Sequence, residues 1–302
     1  MDVPFEYDHA EPQVFGGALP IRRSFDESAV VVLPVPVDRT TSYVGGTRNG
    51  PHEILQASSH MELWDDEMRT DVHGIGIFTL PEMELPFGEM EPLLDEIERV
   101  AYEIISRDKF LVSLGGEHSI TPPLVSAAAR KYPGMSVLQI DAHADMRDAY
   151  MGTRHNHACA MRRTLQHARL TQVGIRSLST EEAEILPKLN TTVFYDASMR
   201  RDPAWIDRVV ESLAEDVYIS IDVDGLDPAI MPATGTPEPG GLSWAEITML
   251  LRTVAARRRI VSADVVELSP IPGMVAPTFL CAKLIYKLLT YRFASDPRAK
   301  KL

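Results

Sequence analysis

Asp141, His143 and Asp145 stand two residues apart in the run Ile140-Asp141-Ala142-His143-Ala144-Asp145. In extended backbone, side chains at i, i+2 and i+4 point the same way, so these three converge on one side of the chain. The apolar run before them, Ser136 to Ile140, reads as a buried strand. The ligand-type residues therefore fall where a strand ends, which is where open α/β sheets place their sites. Asp222 and Asp224, in Ser220-Ile221-Asp222-Val223-Asp224-Gly225, repeat the arrangement after the apolar run Val217 to Ile221. His118 follows a third such run, Phe110 to Leu114, within Gly115-Gly116-Glu117-His118. The three strand ends are expected to meet and to hold two divalent cations.

Charge supports that expectation. Two carboxylates ~4 Å apart repel by about 4 kcal/mol at an effective dielectric of ~20. Asp141, Asp145, Asp222 and Asp224 brought together would make several such pairs, and without cations some would have to take up protons. His118 and His143 supply one nitrogen ligand for each ion. Carboxylate and imidazole ligands without thiolate suit Mn²⁺ and admit Mg²⁺, Fe²⁺, Co²⁺ or Zn²⁺. A pair of such ions can hold a bridging water and generate hydroxide near neutral pH. Singly, each motif has an ordinary reading as a polar loop, a turn or a core histidine. Their joint placement at strand ends is what points to metal.

Strands and helices alternate along the positioning elements. Strands are predicted over Val30–Val35, Ile75–Leu80, Phe110–Leu114, Ser136–Ile140, Gln172–Ile175, Thr191–Phe194, Val217–Ile221 and Ile260–Val266. Helices are predicted from Pro51 to about Ser59, and over Glu89–Arg107, Pro122–Lys131, Ala158–His167, Thr180–Leu189, Pro203–Leu213 and Ala276–Tyr291. A further helix runs to about Arg257, with Ser243 and Glu246 as a capping box. This alternation is the pattern of a mostly parallel sheet with helices on both faces. With no repeat or linker, one domain is expected over residues 1–302, with 1–28 as an N-terminal arm or irregular lead-in. The polar loop Asp38–Gly50, with Thr40-Thr41-Ser42-Tyr43, is placed to line a substrate entrance.

A net charge of −13 disfavours nucleic acid and anionic membranes as partners and favours cationic ligands. Two cysteines, Cys159 and Cys281, allow no disulfide framework. No stretch approaches the ~20 apolar residues of a membrane span, and the N-terminus has no secretory pattern. The expectation is a soluble, cytoplasmic protein.

The motifs resemble the ureohydrolase family of arginases, agmatinases and relatives. The resemblance runs from about Val31 to Tyr291. It is carried by Gly115-Gly116-Glu117-His118-Ser119, by Asp141 to Asp145, and by Ser220 to Pro228 continuing through Ala233-Thr234-Gly235-Thr236-Pro237. It implies a single three-layer α/β/α domain, assembled into trimers or hexamers. It implies that His118, Asp141, Asp145 and Asp222 hold one manganese and Asp141, His143, Asp222 and Asp224 the other, with Asp141 and Asp222 bridging. Glu267, in Val265-Val266-Glu267-Leu268-Ser269-Pro270, matches the guanidinium-binding glutamate. Thr236 matches a threonine of the same pocket, and His157 a histidine with a proton-transfer role.

The residues are chemically suited to those roles. A carboxylate such as that of Glu267 can receive two N–H groups of a planar guanidinium. Hydrolysis needs a nucleophile and a proton for the departing amine. Asp145 can take the proton from the bridging hydroxide and pass it on, and His157 can relay protons to solvent.

Leu33-Pro34-Val35-Pro36-Val37-Asp38-Arg39-Thr40-Thr41-Ser42-Tyr43, Gly46 to Pro51 and Glu62-Leu63-Trp64-Asp65 look more like agmatinases than arginases. The loop Tyr150 to Asn156 lacks the Ser-Gly-Asn run with which arginases grip an amino-acid head. The expected reaction is hydrolysis of agmatine to putrescine and urea. Arg154, Arg162 and Arg163 flank His157 and depart from the agmatinase form. An arginine facing the pocket would favour a carboxylate tail, as in 4-guanidinobutyrate or arginine. An inactive structural or polyamine-sensing relative should lack a ligand or the pocket glutamate, and none is missing here.

Overall fold

The computed structural model describes residues 4–6, 8, 13–17, 24–85 and 88–301. Its strands are β1 (Val30–Val35), β2 (Thr70–Asp71), β3 (Ile77–Thr79), β4 (Phe110–Gly115), β5 (Ser136–Ile140), β6 (Arg169–Ile175), β7 (Thr191–Tyr195), β8 (Asp216–Asp222), β9 (Arg259–Val266) and β10 (Lys300–Lys301). Its helices are α1 (Gly50–Ser58), α2 (Met90–Ser106), α3 (Thr121–Lys131), α4 (Ala160–Thr164), α5 (Thr180–Ile185), α6 (Asp196–Met199), α7 (Trp205–Ser212), α8 (Trp244–Arg257) and α9 (Ala276–Phe293).

Eight strands form one sheet in the order β3-β1-β4-β9-β8-β5-β6-β7, and every pairing in it is parallel. A parallel sheet needs cover on both faces, and its strands are apolar on both sides. In β1, Val30 and Val32 join one core while Val31, Leu33 and Val35 join the other. The first core includes Ile54 of α1, Val209 of α7, Leu250 of α8 and Leu284 of α9. The second takes Ile97 of α2, Leu124 of α3 and Met161 of α4. The chain thus adopts the expected single three-layer α/β/α domain. Among the described residues no helix is long and apolar enough to cross a membrane.

The capping box at α8 forms in full. Ser243 Oγ accepts the Glu246 N–H at 3.3 Å, and Glu246 Oε2 accepts the Ser243 N–H at 2.8 Å. Elsewhere local chemistry shortens what periodicity suggested. The helix expected over Ala158–His167 is a turn at His157–Cys159 and then the five-residue α4. Past it the bonds tighten to three-residue spacing, from Gln166 N to Arg163 O and from His167 N to Thr164 O. The helix expected over Thr180–Leu189 ends at Ile185, just before Pro187, which has no N–H to continue it. The antiparallel pair β2–β10 and the single turn α6 are too short to leave a periodic signal.

Part of the expected N-terminal lead-in lies outside the described residues. Within them Phe15 and Phe25 are buried, and Gly16 N donates to Ser58 Oγ at 2.9 Å. Cys159 and Cys281 are both buried free thiols.

Candidate metal centre

The four neighbouring strands β4, β9, β8 and β5 deliver the predicted residues. Their shared direction puts all four C-terminal ends on one edge of the sheet. β4 leads to His118, β5 to Asp141, His143 and Asp145, β8 to Asp222 and Asp224, and β9 to Glu267. The loops after β5 and β8 touch closely. A Cβ on Gly225 would stand 2.7 Å from Asp141 N, so only glycine fits there. Asp145 and Glu267 hold left-handed backbone, with φ of 54° and 66°. Such non-glycine residues cost on the order of 1–3 kcal/mol each and cluster at functional sites.

His118 is fully buried, and its Nδ1 has no hydrogen-bond partner. That atom lies 3.2 Å from Asp141 Oδ2, 3.0 Å from Asp145 Oδ2 and 3.3 Å from Asp222 Oδ2. A second group forms beside it, with His143 Nδ1 2.9 Å from Asp224 Oδ2 and 3.7 Å from Asp141 Oδ1. His118, Asp141 and Asp145 offer ligand atoms all within 4.8 Å of one another, and so do Asp141, His143 and Asp224. Asp141 belongs to both groups, one oxygen turned to each histidine. Asp222 turns Oδ2 to His118, while its Oδ1 accepts the Asp224 N–H at 2.9 Å.

The electrostatics are those of a cluster short of positive charge. Among the described residues no Lys or Arg nitrogen comes within 4.0 Å of these four carboxylates. Burial, then the charges of Asp224 and Asp145, pushes Asp141 up to about 7. Burial, then Asp224 and Asp141, raises Asp222 well above the usual carboxylate range. Burial would also raise Asp224, but His143 beside it more than offsets this, and the group falls to about 2. Burial opposes protonation of His143, yet Asp224 and Asp141 lift it to about 10. His118 is likewise raised, against burial, by Asp141, Asp145 and Asp222.

A second layer fixes these side chains. Gln139 Nε2 donates to Asp141 Oδ2 at 2.6 Å, and Gln172 Nε2 donates to Gln139 Oε1 at 2.6 Å. His118 Nε2 meets Ser220 Oγ at 2.9 Å, and Ser220 Oγ donates to Asp264 Oδ1 at 2.7 Å. Asp264 is fully buried and also accepts from Tyr218 OH at 2.7 Å and Thr121 Oγ1 at 3.1 Å. This chain of bonds occupies Nε2 and leaves Nδ1 toward the carboxylates. Arg176 donates to the Asp224 carbonyl at 2.7 Å and the Glu238 carbonyl at 2.9 Å, tying two loops together. Sequence patterning gives no role to Gln139, Gln172, Asp264 or Arg176. For Gln139 and Asp264 the signal is a polar residue inside a run that otherwise reads as a buried strand; Arg176, just past β6, carries none.

A cavity of about 230 Å³ opens over the cluster, lined by His143, Asp145, Asp222, Asp224, His157, Thr236 and Glu267. Glu267 Oε1 accepts the His118 N–H at 2.7 Å and lies 3.2 Å from His157 Nδ1. Both contacts fall on one oxygen, Oε1. Burial opposes protonation of His157, but Glu267 raises it to about 9. Thr236 Oγ1 reaches Asp224 Oδ2 at 3.5 Å. Ser42, from the polar loop after β1, lines the wall of this cavity.

Arg154, Arg162 and Arg163, on either side of His157 in the chain, stay off this wall. Arg154 and Arg163 both pair with Asp148, and Arg162 does not line the cavity. Arg147 lines it instead, stacked 4.6 Å over the Tyr150 ring and 4.0 Å from Glu182.

A carboxylate–imidazole cluster, with Glu267 beside it, thus sits at the open edge of a parallel α/β/α sheet. The chain belongs to the arginase family, whose sequence model matches residues 28–290. It is 39% identical to a Synechocystis protein named N(1)-aminopropylagmatine ureohydrolase, over 89% of this chain and 90% of the relative. It is 34% identical to a Bacillus cereus agmatinase, over 82% and 86%. The crystal structure of agmatine ureohydrolase of Thermoplasma volcanium superposes with a TM-score of 0.85 at 32% identity, covering 94% of this chain and 96% of that one. The chain is therefore a hydrolase, a ureohydrolase of the agmatinase type.

Proposed function

We propose that this enzyme hydrolyses the guanidinium of agmatine, releasing urea and putrescine, with two Mn²⁺ ions held by His118, Asp141, His143, Asp145, Asp222 and Asp224. The observation that carries the metal reading is His118 Nδ1, wholly buried and without a hydrogen-bond partner, facing three carboxylate oxygens at 3.0–3.3 Å. The donor set, oxygen and imidazole without sulfur, fits manganese. Asp141 is suited to bridge, since each of its oxygens faces a different histidine. Bound divalent ions supply Lewis-acid activation of water near neutral pH.

The chain's own residues do the rest. Glu267 accepts guanidinium N–H groups and holds the carbon over the cluster, while Thr236 lines the same pocket. Asp145 accepts the proton given up by water as it adds to that carbon. The carbon–nitrogen bond to the alkyl amine then breaks, and the proton passes to the departing nitrogen. His157, 3.2 Å from both Glu267 Oε1 and Ser42 Oγ, relays protons between this point and the entrance.

A second substrate reading has its own support. Relatives named N(1)-aminopropylagmatine ureohydrolase share 39% and 36% identity, against 34% for a relative named agmatinase. On that reading the amine carries an aminopropyl extension and the product is spermidine. Arg147 on the cavity wall, 4.0 Å from Glu182, makes a carboxylate tail a third reading for the same assay. The test is urea release with manganese on agmatine, N(1)-aminopropylagmatine, arginine and 4-guanidinobutyrate side by side. One of the two amines should show the highest kcat/KM, and no urea from either would overturn the proposal. On the same reading the subunits assemble into trimers or hexamers, which sedimentation measures. Exposed Ile271, Met274, Val275 and Phe279 are apolar surface such an assembly could cover.

A further inference from the structure

Glu117 is fully buried beside His118, and no role above uses it. Four donors converge on its carboxyl group. The Arg39 and Thr40 N–H groups reach Oε2, both at 2.6 Å. Thr40 Oγ1 and Ser119 Oγ reach Oε1 at 2.7 and 2.6 Å. Thr40 carries the constraint onward. Its hydroxyl accepts the His157 N–H at 2.9 Å, and its carbonyl accepts from Asn156 Nδ2 at 3.2 Å. Two residues later Ser42 Oγ meets His157 Nε2 at 3.2 Å. The loop after β1 therefore grips His157 by both backbone and ring, and Glu117 grips the loop. Close approach is possible because residue 116 is glycine: a Cβ there would stand 1.9 Å from Val37 O.

We propose that Glu117 and Thr40 are positioning residues for His157, setting where its imidazole stands between Glu267 and Ser42. The proposal rests on the proton-relay role given to His157 above. A displacement of about 1 Å at a reacting group can cost on the order of 100-fold in rate. All four partners of Glu117 are donors, so an amide in its place would turn an N–H group toward other donors.

The test compares Thr40→Val, Thr40→Ser, Glu117→Gln and His157→Ala in the manganese-loaded enzyme. Thr40→Val keeps the side-chain shape and removes the hydroxyl. We expect kcat to fall roughly 10- to 100-fold with KM and bound manganese close to the parent's. Thr40→Ser should restore most of the loss. Added imidazole should recover part of the rate in His157→Ala, where the ring is gone, and none in the parent or in Thr40→Val, which keep it; rescue of Thr40→Val would overturn the positioning role. Glu117→Gln should lose at least as much as Thr40→Val. Parental kcat in Thr40→Val alongside a crippled His157→Ala overturns the positioning role alone. So does loss of manganese in Thr40→Val, or failure of Thr40→Ser to restore. Full activity in His157→Ala overturns the relay and this proposal together.

Discussion

Two charge clusters in this molecule, one partly exposed and one buried, are solved in opposite ways. On α9, Lys287 Nζ lies 2.8 Å from both Asp65 and Glu67, Arg252 adds a contact to Glu67 at 2.7 Å, and Tyr291 OH donates to Glu67 at 2.6 Å. That cluster carries its own cations. Although burial alone would raise it, Glu67 is held below the usual carboxylate range by Lys287 and Tyr291. At the strand ends, Asp141 and Asp222 are pushed up instead, because no Lys or Arg of the described residues answers them. A self-neutralised cluster pins a helix to a loop. A cluster left short of cations gathers the candidate metal ligands of the chain.

The contrast can be broken, and the effects on turnover should fall in a definite order. Asp222→Ala should lower kcat/KM by roughly a thousandfold or more, since several kcal/mol of charge stabilisation depend on the metal set. It should also retain less manganese after dialysis, and a fully active variant would remove Asp222 from the centre. Glu267→Gln should lower kcat/KM by roughly 100- to 1,000-fold, with manganese content measured by elemental analysis unchanged. Asp264→Asn acts one layer out and should weaken metal binding about 10- to 100-fold in a competition titration. Parental affinity there would show that the Ser220 relay does not orient His118.

The self-neutralised cluster should respond differently. Lys287→Met leaves the buried Asp65 without a cation, while Glu67 keeps Arg252 and Tyr291, and should cost about 3 kcal/mol in urea denaturation. Turnover per folded molecule should stay at the parental level. Loss of turnover without loss of stability would mean that the two clusters are not separable. The smallest effect concerns pH. The folded-state pKa of Glu67 is depressed below its ordinary 4.5, so its stabilisation is present above that value and is lost as pH falls through the folded pKa. The stability gap between parent and Lys287→Met should therefore narrow from about pH 5 to about pH 3. A gap that widens on acidification would contradict the pairing.

The local pattern of residues determined a great deal. Apolar runs placed the strands and put ligand-type residues at their ends, and Ser243 with Glu246 fixed the start of α8. These are one-dimensional signals, because the direction of a side chain follows from the backbone period of its own element. The two-residue period does not aim Asp145, which stands past the end of β5 in left-handed backbone. What periodicity cannot report is which other element that side chain will face. The order of strands alone makes β4, β9, β8 and β5 neighbours. It brings Glu267 to the His118 N–H, Asp264 behind Ser220, and the Thr40–Ser42 loop onto His157. It also decides that Arg147, rather than Arg154, Arg162 or Arg163, lines the cavity. Those contacts join residues far apart in the chain. They exist only once the sheet has closed and both of its faces are buried.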